Sequence, residues 1–289
     1  LTSVIIPASV ISIGHGTFYN NQLTSVSLSN SLISIGDSTF SNNHLTSINI
    51  PNSIVHIGSN AFYANELISV NIPNSMTTIE EWTFAQNALT SINIPNSVTD
   101  IQYGAFNNNQ LSDNEAFIYA RNNDGSENRT RTISYGGLKR INVIIPDNVI
   151  NIGSYTFYNN QLTSVIIPNR VTTIGNAAFY WNSLTWVIIP NSVTNIEDSA
   201  FSTNQLTSIV IPSSLVSIGN SAFYYNQITS IVIPSSVASL WYEAFSQNRI
   251  PSSNEIIVYC DLPTFWNNAF ANNGLDGTTN LLNPTTCTP

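Results

Sequence analysis

Charge is the first scarcity. Asp, Glu, Lys and Arg make up only 8% of the 289 residues, against roughly 25% in an ordinary globular domain. Seven basic residues face sixteen acidic ones, for a net charge of −9. That balance disfavours a nucleic-acid or anionic-membrane partner. No stretch approaches the ~18 consecutive apolar residues of a membrane span, so no membrane insertion is expected. There is one methionine, three histidines and only two cysteines, Cys260 and Cys287, both near the C-terminal end. In an extracellular protein those two are expected to pair and staple the end of the fold. The alternative is two separate thiols, buried or free.

What the chain does have is repetition. Residues 206–227, LTSIVIPSSLVSIGNSAFYYNQ, define a unit of 22 phases with Leu206 at phase 1. Units begin at Leu1, Leu23, Leu45, Leu67 and Leu89, and again at Arg140, Leu162, Leu184, Leu206 and Ile228. Ten units in two runs of five at a fixed period are the mark of a solenoid. Phase 18 is Phe in all ten units, and phase 13 is Ile in nine and Leu240 in the tenth. Phases 4, 6 and 10 are always aliphatic or Met. A 22-residue unit cannot enclose these side chains alone, but stacked units can, each adding one layer to a continuous core.

Phases 3 to 6 alternate polar and apolar, which is strand periodicity. Pro ends the strand at phase 7 in nine units, Ser29 being the exception, because it lacks the N–H that pairing requires. A second short extended piece is expected at phases 11 to 13, and one helical turn at phases 15 to 19. Gly occupies phase 14 in six units, but Glu80, Gln102, Glu197 and Trp241 also occur there, so no strict positive φ is required. Asn stands at phase 21 in every unit. Set among apolar neighbours, it is expected to point inward and satisfy backbone groups where the chain bends.

Residues 111–139 break the pattern and read as a β-hairpin, with Phe117 to Ala120 as one strand, an Asn-Asn-Asp-Gly turn ending at Gly125, and Arg131 to Tyr135 as the return. The Asn-Glu-x-x-x-Tyr of Asn114, Glu115 and Tyr119 recurs in Asn254, Glu255 and Tyr259. Residues 250–289 are therefore expected to hold a second hairpin-like unit and then a C-terminal cap without repeat phase. The chain starts at phase 1, with neither Met nor signal peptide, and its first unit carries no visible cap. The natural protein is expected to extend upstream, since a bare sheet edge invites pairing.

The unit resembles the leucine-rich repeat, and more closely its BspA-like, Treponema-type subclass. The resemblance rests on L-T-S-I-x-I-P-x-S-V-x-x-I-G-x-x-A-F, seen here as Leu162-Thr-Ser-Val-Ile-Ile-Pro168 through Ile174-Gly175 to Ala178-Phe179. Two departures are Asn at phase 21, where the subclass usually has Cys, and a unit shorter by one residue. The resemblance implies a leucine-rich-repeat solenoid, mainly β with short helical or 3-10 turns. Its parts are repeats at 1–110, an insert at 111–139, repeats at 140–249, and a hairpin-like unit with cap at 250–289. It also implies an extracellular or cell-surface setting, generally in bacteria, and brings no catalytic residues with it.

Nothing in the chain points to an enzyme. His15, His44 and His56 fall on three different phases, 15, 22 and 12. There is no G-x-S-x-G, H-E-x-x-H or phosphate-binding glycine loop, so no metal or cofactor is expected. Binding surfaces are better marked. Phase 5 should face outward from the strand. It is Ile5, Ser27, Asn49, Asn71 and Asn93 in the first run, but Ile144, Ile166, Ile188, Val210 and Val232 in the second. With Trp186 beside it, that row forms an apolar stripe roughly 20 Å long at ~4.8 Å per unit. The alternatives are that the insert or tail covers it, or that these are simply tolerated strand formers. Tyr180-Trp181 and Tyr224-Tyr225, at phases 19 and 20, form an aromatic rim able to anchor a protein or stack on sugar rings, or merely to pack over the turn. Five of the seven basic residues lie between Arg121 and Arg140, mixed with acidic ones, and read as solvated hairpin charge.

The expected function is a surface or secreted binding and adhesion module engaging a protein or glycan. A structural spacer is the alternative, and an ice- or crystal-face binder a third. Self-association through the stripe or the uncapped N-terminal edge is a further expectation.

Overall fold

Each repeat becomes one coil of a β-solenoid in the computed structural model, which describes residues 1–137, 141–251 and 268–273 and the backbone of Ile256–Val258 and Thr264–Phe265. The chain divides into two modules, Leu1–Lys139 and Arg140–Pro289. In both, a coil has three sides. The first is the extended segment at phases 3–5, a paired strand in half of the repeats, as in Ser3–Ile5 paired parallel with Ser25–Ser27, and Asn142–Ile144 with Ser164–Ile166. Its alternation puts phases 4 and 6 inside and phase 5 outside. The proline then turns the chain, its carbonyl accepting the N–H three residues on, as from Val149 to Pro146 at 3.0 Å.

The second side is the two-residue strand at phases 12–13, formed in all ten coils. In the second module Ile152, Ile174, Ile196, Ile218, Leu240 and Phe265 stand in one parallel register. This minor-looking stretch is thus the more continuously paired of the two.

The third side corrects an expectation. No helical turn occurs at phases 15–19, nor any helix among the described residues. Phases 16 and 20 have positive φ in each of the ten repeats, as at Ser199 and Thr203, both 55°. The N–H groups of phases 16, 18 and 20 donate along the stack to the next coil: Ser199 to Asn220, Phe201 to Ala222 and Thr203 to Tyr224, each at 2.8 Å. A single helical turn is costly to nucleate, and bonds to the neighbouring coil satisfy these groups instead. The phase-14 glycines have no positive φ. They allow close approach: a Cβ on Gly175 would lie 2.8 Å from Ile152 O and Ser154 N in the preceding coil.

Phenylalanine forms the spine of each module. Phe157, Phe179, Phe201, Phe223, Phe245 and Phe270 are buried and stack at centroid spacings of 5.0, 5.1, 5.4, 5.0 and 5.5 Å. Beside them runs the phase-21 Asn ladder, pointing inward as expected. Asn204 accepts the N–H of Leu184 at 3.0 Å, closing its own coil, and donates to Phe179 O in the coil before at 2.9 Å.

In the first module the hairpin is present, with Phe117–Arg121 antiparallel to a longer Glu127–Tyr135. It docks on the fifth coil. Asn107 Oδ1 accepts the Tyr135 N–H at 3.0 Å, and Phe106 N–H donates to Ser134 Oγ at 3.2 Å. The second module does not repeat this, which corrects the reading of residues 250–289. Ile256–Val258 pairs parallel with Ile231–Ile233, and Thr264–Phe265 with Ser239–Leu240. Phe270 continues the spine, and Asn273 donates to Phe245 O at 3.0 Å while its Oδ1 accepts Asn248 N–H. This is an eleventh coil. The repeat signal was there as Ala269-Phe270 with Asn273 three residues on, and the Asn-Glu-x-x-x-Tyr match outweighed it. Cys260 and Cys287 lie outside the described residues.

Candidate binding surfaces

Buried phases 4 and 6 fix the outward aim of phase 5. Val143, Val165, Val187, Ile209 and Ile231 are all buried. Between them Ile144 is 70% exposed, Ile166 55%, Ile188 70%, Val210 81% and Val232 45%, with Trp186 beside them at 49%. The described residues leave the stripe uncovered. In backbone register Val232 is paired with Ile257. The first module holds Ile5 at 79% exposure, then Ser27, Asn49, Asn71 and Asn93 at the same phase.

The aromatic rim lies on the turn side, away from the stripe in the coil. Trp181 and Tyr225 are exposed, while Tyr180 and Tyr224 are half-buried. Trp181 sits 6.3 Å from Tyr158 and 6.5 Å from Tyr180 between ring centroids, and Tyr225 sits 6.3 Å from Tyr224.

A third feature escaped the sequence reading. A cleft of about 290 Å³ opens in the first module between the hairpin and the fifth coil, lined by Ile92, Ile94, Glu115, Tyr119, Arg121 and Arg129 among others. Its signal was the replacement of a regular sixth coil by 29 irregular residues, which cannot cover Ile92–Ile94 as a coil would. Two residues of the basic spot are tied down there. Arg121 Nη2 donates to Ile94 O at 2.8 Å, and Arg129 pairs with Glu127 at 2.9 Å while lying 5.8 Å from the Tyr119 ring centroid. Burial pushes the Tyr119 phenol above its ordinary 10.0, against the pull of Arg129. Lys139 and Arg140 lie outside the described residues.

The hairpin turn is seated by Gly125. Its φ is 79°, and a Cβ there would fall 1.8 Å from Asn96 O. Gly125→Ala is expected to cost at least about 1–2 kcal/mol from the left-handed backbone alone and to lift the turn off the fifth coil. Limited proteolysis should then cut at residues 121–127, where the wild type resists.

The histidines do not converge. His15 contacts Asp37 at 3.1 Å and His44 contacts Glu66 at 2.9 Å, both exposed. Among the described residues no three His, Cys, Asp or Glu side chains gather closely enough to hold a metal, and no helix is long and apolar enough to cross a membrane.

Residues 1–112 and 134–252 match the BspA type leucine rich repeat region, in six copies. The chain belongs to the BspA-type leucine-rich repeat family. The match omits most of the hairpin, whose sequence follows no repeat. No curated protein sequence matches the chain. Among solved structures this BspA-type solenoid is similar to a leucine-rich repeat protein from Eubacterium ventriosum, with a TM-score of 0.62 and 22% identity over 87% of this chain and 84% of that one. A leucine rich cell surface protein from Faecalibacterium prausnitzii gives a TM-score of 0.54 and 24% identity over 90% and 88%. The pneumococcal vaccine antigen PcpA gives 0.57 and 20%, over 91% of this chain and 65% of PcpA. At these identities the likeness is one of fold.

Proposed function

We propose that this BspA-type solenoid is a non-enzymatic binding and adhesion module, displayed on a cell surface or secreted. It engages a protein or glycan through the exposed sheet face of its second module. The observation that carries this is the phase-5 row. Two runs of the same repeat differ there, Asn or Ser dominating one and Ile or Val filling the other, at positions exposed in both. A spacer that binds nothing has no physical reason for that difference, whereas contiguous exposed apolar surface marks contact sites. The surface and vaccine-antigen descriptions of similar folds favour the setting.

The test is the Ile166→Asn, Ile188→Asn variant, which copies the first module's residues and so preserves the fold. Losing two aliphatic contacts should weaken partner binding or self-association at least tenfold, with unchanged thermal unfolding, by light scattering and by host-protein and glycan arrays. Unchanged association would support a spacer instead.

A further inference from the structure

The turn side of the second module carries a surface the sheet-face reading does not use. Phase 20 holds a positive φ in every coil; Asn, which accepts that backbone most readily among residues bearing a Cβ, fills it at Asn20, Asn42, Asn108, Asn159 and Asn272, and Ala64, Gln86, Thr203 and Gln247 share it. Trp181 and Tyr225 occupy the same position at φ 59° and 54°, where a bulky aromatic is the less favourable choice. Both are among the most exposed aromatics of the protein, at 53% and 59%. Two exposed rings, set where the other coils carry small or polar residues, point to what the rings touch.

The spacing says what that is. Trp181 and Tyr225 stand two coils apart. The Phe179, Phe201 and Phe223 rings of the same coils follow at 5.1 and 5.4 Å, so equivalent positions two coils apart lie about 10 Å from each other, as stacked strands require. A β-1,4-linked hexose chain presents the same ring face every second residue at about this distance. The coil between offers only Thr203, half-buried, and exposed Gln205, which leave room for the intervening sugar and can bond its hydroxyls. Phases 19, 20 and 22 carry no charge from Tyr158 through Gln227. The backbone N–H groups of Trp181 and Tyr225 bond Ser202 O and Ser246 O of the next coils at 3.1 Å each, which fixes the main chain that carries the rings, and Tyr180 and Tyr224 pack beside the rings. We infer that Trp181 and Tyr225 form a two-ring platform that stacks on alternate residues of an uncharged β-1,4-linked glycan.

The full chain would be tested by affinity electrophoresis and pull-down with microcrystalline cellulose and chitin, and by calorimetry with cellohexaose and chitohexaose, using maltohexaose as control. Trp181→Asn with Tyr225→Asn is the decisive variant, because Asn suits the backbone and should keep or raise the melting temperature. Binding of a β-1,4 glycan by the wild type, lost at least tenfold in this variant and retained in Ile166→Asn, Ile188→Asn, is the expected result. No binding by the wild type, equal binding of maltohexaose, or undiminished binding by the Asn variant would each overturn the proposal. Loss of a protein partner alone on the same variant would assign the rim to protein recognition and overturn it equally. The sheet-face variant reports separately, so failure of one site leaves the other intact.

Discussion

Phe201→Ala is expected to lower stability by roughly 3–5 kcal/mol, the usual cost of emptying a large buried aromatic site. Phe201 is fully buried and stacked between Phe179 and Phe223 at 5.1 and 5.4 Å, so its removal leaves a void facing both neighbours. The site cannot collapse easily. Its backbone is pinned on both sides, the N–H bonding Ala222 O at 2.8 Å and the carbonyl accepting the amides of Asn204 and Asn226. A solenoid is held by nearest-neighbour interfaces, so one central void weakens two of them. Chemical unfolding followed by circular dichroism should therefore show a lower midpoint and a shallower or split transition. Phe18→Ala is the internal comparison. Phe18 is only half-buried and stacks on Phe40 alone, at 5.4 Å. It should cost distinctly less, and equal losses at the two positions would refute a spine that depends on two-sided stacking.

The periodicity made most of this fold legible, because a repeat states its inside and outside ten times over. Phe at phase 18, Asn at phase 21 and the aliphatic phases 4, 6, 10 and 13 each found their expected place. The turn side was not legible. Ala-Phe and Thr-Phe suit a helical turn locally, and only the neighbouring coil, by taking the N–H groups of phases 16, 18 and 20, decides otherwise. The same limit hid the cleft. Residue types show that a hairpin forms, but whether Tyr119 and Arg121 leave a gap over Ile92–Ile94 depends on how the hairpin seats. Residues 268–273 were misjudged for another reason. Three extra residues enter the eleventh coil before its strand, so Ile231 pairs with Ile256 rather than at the 22-residue step, and a strict period misses the unit. The aromatic rim was visible as residue types, but its backbone strain was not, since nothing in the word Tyr-Trp announces a φ of 59° at Trp181.

Asn204→Ala is expected to cost about 2–4 kcal/mol, because one side chain satisfies several buried backbone groups and alanine satisfies none. Asn204 accepts the Leu184 N–H at 3.0 Å and donates to the carbonyls of Phe179, Phe201 and Ser202 at 2.9, 3.1 and 3.2 Å. Asn204→Asp separates the two halves of that role. It keeps the acceptor for Leu184 but, when ionised, turns a carboxylate toward three carbonyl oxygens. Both burial and that repulsion raise its folded pKa above the unfolded value of about 3.9. A carboxyl with a raised folded pKa contributes its stability below the unfolded pKa and loses it as pH rises through the folded one. The variant should therefore be less stable than wild type at pH 7 and recover as the pH falls toward 4, where the protonated acid again donates one hydrogen bond. Melting temperatures of wild type, Ala and Asp variants across that range decide the matter. An Asp variant as stable as wild type at pH 7, with no dependence on pH across that range, would mean that the amide donor is dispensable and that the ladder is held by the Leu184 contact alone.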